Sequence, residues 1–180
     1  SFDVSKTFST TYNSQIQILP NAFSNLLTGL TGMLRKPSGC FEQTSSVNYL
    51  NILVLQLLDQ YQMANVETMV KSKDLLKTGY NKLASFETKT GGYSLYGQPP
   101  GDEVMTAYGI QQFIEMEKVW NVDNARTERA IEWLQTRKDG TGGYKTSKQA
   151  GGLQKNNLPI RNSYITYSLV QSGISGLETE

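Results

Sequence analysis

A repeated Gly-Gly-Tyr loop constrains the fold of this chain more than any other feature. Gly91-Gly92-Tyr93 opens a loop that ends near Gly101, and Gly142-Gly143-Tyr144 opens the next loop 51 residues later. The first loop is followed by a strongly apolar helical pattern and then by a more charged one, and the second loop by another apolar pattern. Because one helical hairpin cannot bury its apolar face alone, this period predicts an all-α array of inner and outer helices.

The same alternation begins before the first loop. Residues 22–34 have apolar side chains at three- and four-residue spacing, and residues 47–58 are apolar almost all the way round, which predicts a buried inner helix. The next pattern, residues 65–86, is an outer helix with lysines on one face and an apolar stripe on the other: Val66, Met69, Val70, Leu75, Leu76, Tyr80 and Leu83. No outer pattern follows the last inner helix, so we expect an incomplete array.

Residues 1–19 differ in composition from the remainder of the chain. They are rich in Ser, Thr, Phe and Tyr, and Ile16-Gln17-Ile18 alternates apolar and polar side chains as a half-buried strand does. We therefore predict a short β-like strand or connector over residues 1–19 and a helical domain over residues 20–180.

The absence of histidine excludes several chemistries. Ser-His-Asp and Cys-His catalysis and histidine-containing zinc sites all need imidazole groups, which this chain lacks. The net charge of +1 argues against nucleic acid or an anionic membrane as a partner, and no apolar run reaches the ~18 residues that span a bilayer. A single cysteine cannot form an internal disulfide. We expect no metal, no cofactor and no nucleic-acid partner.

The single cysteine lies in residues 37–43, Pro-Ser-Gly-Cys-Phe-Glu-Gln, which we call the Cys40 segment. A lone cysteine is more often a small core residue than a reactive one. Here, however, a proline and glycine turn places Cys40 just before a helix, whose N-terminal partial charge favours a thiolate. Gln43 lies three residues further on, so its side-chain carbonyl can fold back towards the sulfur, a spacing compatible with an internal thioester.

The Cys40 segment resembles the Gly-Cys-Gly-Glu-Gln thioester signature of the alpha-2-macroglobulin and complement family. The resemblance runs in order and spacing from about residue 18 to residue 173 and includes residues 75–80, 91–97, 105–108, 130–134 and 163–169. It implies that residues 20–180 are part of a thioester domain, an α/α toroid in which inner helices are ringed by outer ones. It also implies that residues 1–19 belong to a neighbouring β module of the parent chain.

The resemblance also implies a function for the Cys40 segment. Cys40 and Gln43 would form the thioester bond, and Pro37, Gly39, Phe41 and Glu42 would complete the motif. A protein of this kind is a protease inhibitor or a covalent tagging factor, whose thioester acylates target amines after proteolytic activation. The expected partners are target proteins, proteases among them, that react through lysine amines. The expected location is extracellular, at the cell surface or periplasmic. We expect the protein to react once rather than to act as an enzyme with turnover.

Two departures from the family pattern affect these expectations. Phe41 stands where the family usually has glycine, so the turn must accept a side chain. Residues 144–157 contain no histidine, whereas family members that prefer hydroxyl targets carry one in the corresponding loop. The resemblance therefore implies a preference for amines. Glu42 is either a first-turn residue stabilised by the helix dipole or a group that orients the thioester.

The sequence leaves two other functions as alternatives: a structural or interaction array, and an enzyme on the same toroid. The chain is either a thioester domain or a structural or interaction array of helical hairpins with an inert cysteine. An enzyme on the same toroid, such as a prenyltransferase or terpenoid cyclase, would need zinc ligands including histidine or clustered aspartates. Asp102-Glu103 is the only adjacent acidic pair before the tail. The Gly-Gly loops lack the lysine and spacing of phosphate-binding loops, and the tyrosines of the loops and helices are expected in the core.

Overall fold

The computed structural model describes residues 22–62, 66–147 and 157–177, which form six α-helices and no sheet. The helices are α1 Ala22–Met33, α2 Phe41–Gln60, α3 Val66–Ala84, α4 Glu103–Glu117, α5 Asn124–Gln135 and α6 Leu158–Gln171. This confirms the predicted all-α class. The strand or connector predicted for residues 1–19 lies outside the described residues.

The helices pack in the predicted inner and outer order. α2 packs against α1, α3 and α4, and α4 packs against α5 and α6. Helices α2, α4 and α6 therefore form a consecutive inner row, while α3 and α5 each lie outside the inner helix that precedes them. The main core cluster includes side chains from each of α2 to α6, among them Ile52, Leu76, Ile110, Leu134 and Ile165.

The two Gly-Gly-Tyr loops share a backbone hydrogen bond in the same register. The N–H of Thr88 donates to the Gly92 carbonyl at 2.8 Å, and the N–H of Asp139 donates to the Gly143 carbonyl at 2.9 Å. Each loop also contains one isolated antiparallel bridge, Glu87 with Tyr93 and Lys138 with Tyr144. The repeat seen in the sequence is thus a repeat of backbone structure.

Two details of the predicted core are wrong. The apolar stripe of α3 is buried only towards its C-terminal end, because Val66 and Val70 stay 81% and 55% exposed. The core position expected for the tyrosines holds for Tyr93 and Tyr144, but the side chains of Tyr96 and Tyr167 are exposed. Within the part of the chain that the structure describes, no helix has the length and hydropathy to cross a membrane.

Candidate functional site

The structure brings Cys40 and Gln43 together at the start of α2. Cys40 is the residue that caps the helix, with extended backbone angles, and it is half-buried. The Gln43 side chain folds back along the first turn, and its Oε1 accepts a hydrogen bond from the Cys40 N–H at 3.3 Å. The side-chain carbonyl of Gln43 therefore lies against the residue that carries the thiol, as the spacing predicts.

Gly39 makes room for this contact. Its backbone has a φ of +89°, a left-handed conformation that residues with a Cβ adopt at a cost. A Cβ at this position would lie 2.1 Å from Gln43 Oε1 and 3.0 Å from Gln43 Cδ. Glycine is thus required for two separate reasons, the backbone conformation and the space occupied by the Gln43 carboxamide.

Phe41 anchors the Cys40 segment to the core. Its side chain is fully buried, and its ring lies 6.0 Å from Phe86, 5.7 Å from Tyr93 and 6.5 Å from Tyr108, measured between centroids. Its N–H donates to the Leu95 carbonyl in the first Gly-Gly-Tyr loop at 3.0 Å. The side chain that replaces the usual glycine of the motif is therefore accommodated by an aromatic cluster.

The other two motif residues, Pro37 and Glu42, differ in burial and line different cavities. Pro37 is buried, and the adjoining residues 38 and 39 line an open cavity beside α3. Glu42 is exposed and lines two cavities, of about 240 Å³ and about 740 Å³. The larger one lies between α2, α4 and α6 and is mostly apolar: Phe41, Ser46, Val104, Met105, Tyr108, Asn157, Ile160, Arg161 and Tyr164 complete its lining.

The two tyrosines of the larger cavity are not acid-base groups at neutral pH. Burial raises the pKa of Tyr164 to about 12 and also raises the pKa of Tyr108. Both hydroxyls therefore keep their protons. Neither tyrosine is therefore a base that would activate an amine.

A buried ionic cluster fixes the second Gly-Gly-Tyr loop next to the start of α4. The Glu103 carboxylate is fully buried and accepts hydrogen bonds from Arg137 Nε at 2.8 Å, from the Ser147 N–H at 3.1 Å and from Ser147 Oγ at 3.0 Å. Arg161 of α6 lies 3.7 Å from the same carboxylate and donates to the Tyr144 carbonyl. In the sequence, Glu103 stands out only as half of the acidic pair Asp102-Glu103, and no local pattern signals this role.

The buried Asp102 carboxyl is expected to make the stability of the folded protein depend on pH. Burial raises the pKa of its carboxyl from 3.8 to about 6. As pH rises from about 4 to above 6, the unfolded chain loses this proton before the folded protein does, so the folded state loses stability relative to the unfolded state. We therefore expect the stability of the wild type, relative to an Asp102→Asn variant, to fall over this interval.

Thermal unfolding of both proteins at pH 4 and pH 7 measures this difference. Asparagine serves well at a helix N-cap, so the variant keeps the hydrogen bond that Asp102 Oδ1 accepts from the Met105 N–H at 2.9 Å. A difference in melting temperature that is the same at both pH values would contradict the raised pKa.

The described residues contain no cluster of three or more cysteine, histidine or acidic side chains that could hold a metal ion. In the loop over residues 144–157, where family members that prefer hydroxyl targets carry a histidine, Ser147 is buried in the Glu103 cluster and Asn157 caps α6, its side chain accepting from the Ile160 N–H. Lys148, Gln149 and Asn156 lie outside the described residues.

Comparisons with known proteins point to one family. The A-macroglobulin TED domain matches residues 12–172. "Thioester-containing protein 1 allele R1" of Anopheles gambiae is 25% identical over 167 residues, which are 89% of this chain and 12% of that protein. "Ovostatin" of Gallus gallus is 29% identical over 151 residues, which are 79% of this chain and 10% of that protein.

Solved structures agree on the fold. Salmonella alpha-2-macroglobulin, in crystal structures of a mutant and of the protein reacted with methylamine, matches with a TM-score of 0.61 at 19% identity. The match covers 85% of this chain and 10% of the Salmonella chain. The chain thus spans only about a tenth of the length of the proteins that it resembles.

Proposed function

The chain belongs to the A-macroglobulin TED domain family, and on that premise we propose that Cys40 and Gln43 form an internal thioester that acylates amines of target proteins. In its formation, Cys40 Sγ attacks Gln43 Cδ and the side-chain nitrogen leaves as ammonia. In its reaction with a target, the amine nitrogen bonds to Gln43 Cδ, the carbon–sulfur bond breaks, and the proton lost by the amine ends on the Cys40 thiolate or in solvent. Thiolate is a much better leaving group than an amide nitrogen.

The fold of the Gln43 side chain over Gly39 is the observation that carries this proposal. It places the carbonyl that would become the acyl group against Cys40, with the hydrogen bond to the Cys40 N–H at 3.3 Å. A reaction between two groups held in this way avoids the entropy cost of bringing them together. The same fold-back forms a capping box between Cys40 and Gln43, an arrangement that also stabilises helix starts without any thioester, so the bond itself has to be tested by its chemistry.

The absence of histidine supports a preference for amines over hydroxyls. A hydroxyl is a weak nucleophile until a base removes its proton, and the chain has no imidazole to supply one. An amine attacks without that help. One matched structure, that of the Salmonella protein, was obtained after reaction with methylamine. We therefore propose lysine amines as the targets, and a single acylation that consumes the thioester rather than catalytic turnover.

The relatives support a proposal for the role of the whole protein. We propose that this domain acts within a larger chain, beside β modules, as a protease inhibitor or covalent tagging factor located extracellularly, at the cell surface or in the periplasm. Because water hydrolyses a thioester, the bond would need shielding until proteolysis of the parent protein moves a partner domain away. The relatives' much greater lengths leave room for such partners.

Intact-mass measurement of the full-length protein tests the thioester. We expect the wild type to be lighter than its sequence by one ammonia, and methylamine to add to Gln43 while freeing one thiol. The Cys40→Ser variant should have its plain sequence mass and take up no methylamine. A wild type with its plain sequence mass, an intact Gln43 in its peptide map and a Cys40 thiol that titrates before amine is added would refute the thioester and support the structural array.

A further inference from the structure

A buried asparagine of α2 holds the backbone that leads into the Cys40 segment. Asn51 is fully buried, and its Nδ2 donates to the Arg35 carbonyl at 2.7 Å while its Oδ1 accepts from the Arg35 N–H at 3.1 Å. One side chain thus binds both polar backbone groups of one residue, as a neighbouring β-strand would. Arg35 lies five residues before Cys40, and its own side chain is exposed.

Closer to Cys40, the same segment is held by tight packing of Pro37 against Gly79 of α3. Gly79 of α3 is so close to the entering chain that a Cβ on it would lie 3.1 Å from Pro37 Cγ and 1.9 Å from Oδ1 of Asn48, the residue one turn before Asn51 on α2. Pro37 is buried and has a fixed φ. The segment before Cys40 is therefore held by a two-bond clamp at Arg35 and by packing at Pro37.

We propose that Asn51 is a positioning residue of the thioester, which fixes the approach of the chain so that Cys40 meets the Gln43 carbonyl. This inference rests on the proposed thioester. On the other side of Cys40 the backbone is held by the Phe41 ring and by the bond from the Phe41 N–H to Leu95. With both sides fixed, Gly39 and Cys40 keep the conformation that closing the thioester ring needs.

The clamp matters because the rate of a reaction between two held groups depends steeply on their placement. A displacement of about 1 Å can cost a factor of about 100 in rate. Asn51→Leu leaves the Arg35 N–H and carbonyl without their side-chain partner, so the segment gains freedom, while leucine still fills the buried space that Asn51 occupies. Thioester formation should therefore fall by more than a loss of stability alone would explain.

The test compares Asn51→Leu with Gln56→Leu in the full-length protein. Gln56 is a suitable control because it also lies on α2 and its Nε2 also donates to a backbone carbonyl, that of Glu115 at 2.9 Å, but far from the Cys40 segment. We expect the ratio of thioester to unreacted Gln43 in folded Asn51→Leu protein to fall by about tenfold to a hundredfold. Gln56→Leu should keep the wild-type ratio at a comparable loss of melting temperature.

Intact mass, peptide mapping and methylamine uptake measure the ratio, and circular dichroism measures folding. If Asn51→Leu does not fold, Asn51→Asp keeps the shape and the acceptor for the Arg35 N–H while losing the donor, and the same direction is expected. A wild-type ratio in a folded Asn51 variant, or an equal loss in Gln56→Leu, would overturn the positioning role. Failure of the wild type itself to form a thioester would instead overturn the proposed function and this inference with it.

Discussion

Substitution of Gly39 by alanine is expected to abolish thioester formation. The added Cβ would lie 2.1 Å from Gln43 Oε1, which is well inside van der Waals contact, so the carboxamide must leave its position over Cys40. The left-handed backbone at φ +89° adds a cost of about 1–2 kcal/mol for any residue with a Cβ. We expect no methylamine incorporation and a mass that equals the sequence mass of the variant.

The Gly173→Ala variant separates the cost of the left-handed backbone from the clash between the added Cβ and Gln43. Gly173 has nearly the same φ, +87°, but a Cβ there would meet no atom within 4 Å. This variant should suffer the backbone cost alone and keep its thioester, measured by the same mass and methylamine assays. If folded Gly39→Ala protein still incorporates methylamine as the wild type does, the contact between Gly39 and Gln43 is not needed for the thioester.

The inner and outer order of the helices was predictable because it depends on periodic patterns. The repeat of Gly-Gly-Tyr fixes the loops, and the two loops make equivalent bonds, at Thr88 to Gly92 and at Asp139 to Gly143. Local spacing also predicted that the Gln43 side chain would fold back towards Cys40. Both kinds of feature are visible in the sequence, as a repeat or as a spacing of a few residues.

The contacts that hold the candidate site in place were not predictable in this way. Asn51 binds Arg35, 16 positions away, and Ser147 binds Glu103, 44 positions away. The sequence pattern of α2 is mostly apolar, yet four polar side chains are buried between the first turn and the middle of the helix: Thr44, Ser45, Asn48 and Asn51. Only the packing of α2 against its neighbours reveals that Asn48 donates to Gln112 and that Asn51 binds Arg35. Most buried polar groups are hydrogen-bonded in this way, whereas Ser45 Oγ has no partner among the described residues.

The burial of Phe41 leads to the largest expected effect on stability. Replacing it by alanine removes a fully buried ring from a cluster with Phe86, Tyr93 and Tyr108 and leaves a cavity beside Cys40. Substitutions of this kind cost about 3–5 kcal/mol, and the edge-on ring contact with Phe86 adds to the loss. We expect the free energy of unfolding, measured in denaturant, to fall by about that amount.

Two further variants, Phe41→Gly and Tyr96→Ala, serve as comparisons for this prediction. Phe41→Gly restores the usual family residue, but here it should destabilise the domain at least as much as alanine, because glycine also adds backbone freedom in the unfolded chain. Tyr96 is 69% exposed, so Tyr96→Ala should change the free energy of unfolding by less than about 0.5 kcal/mol. A Phe41→Gly protein as stable as the wild type would show that the aromatic cluster tolerates the usual family residue and that Phe41 does not anchor the Cys40 segment.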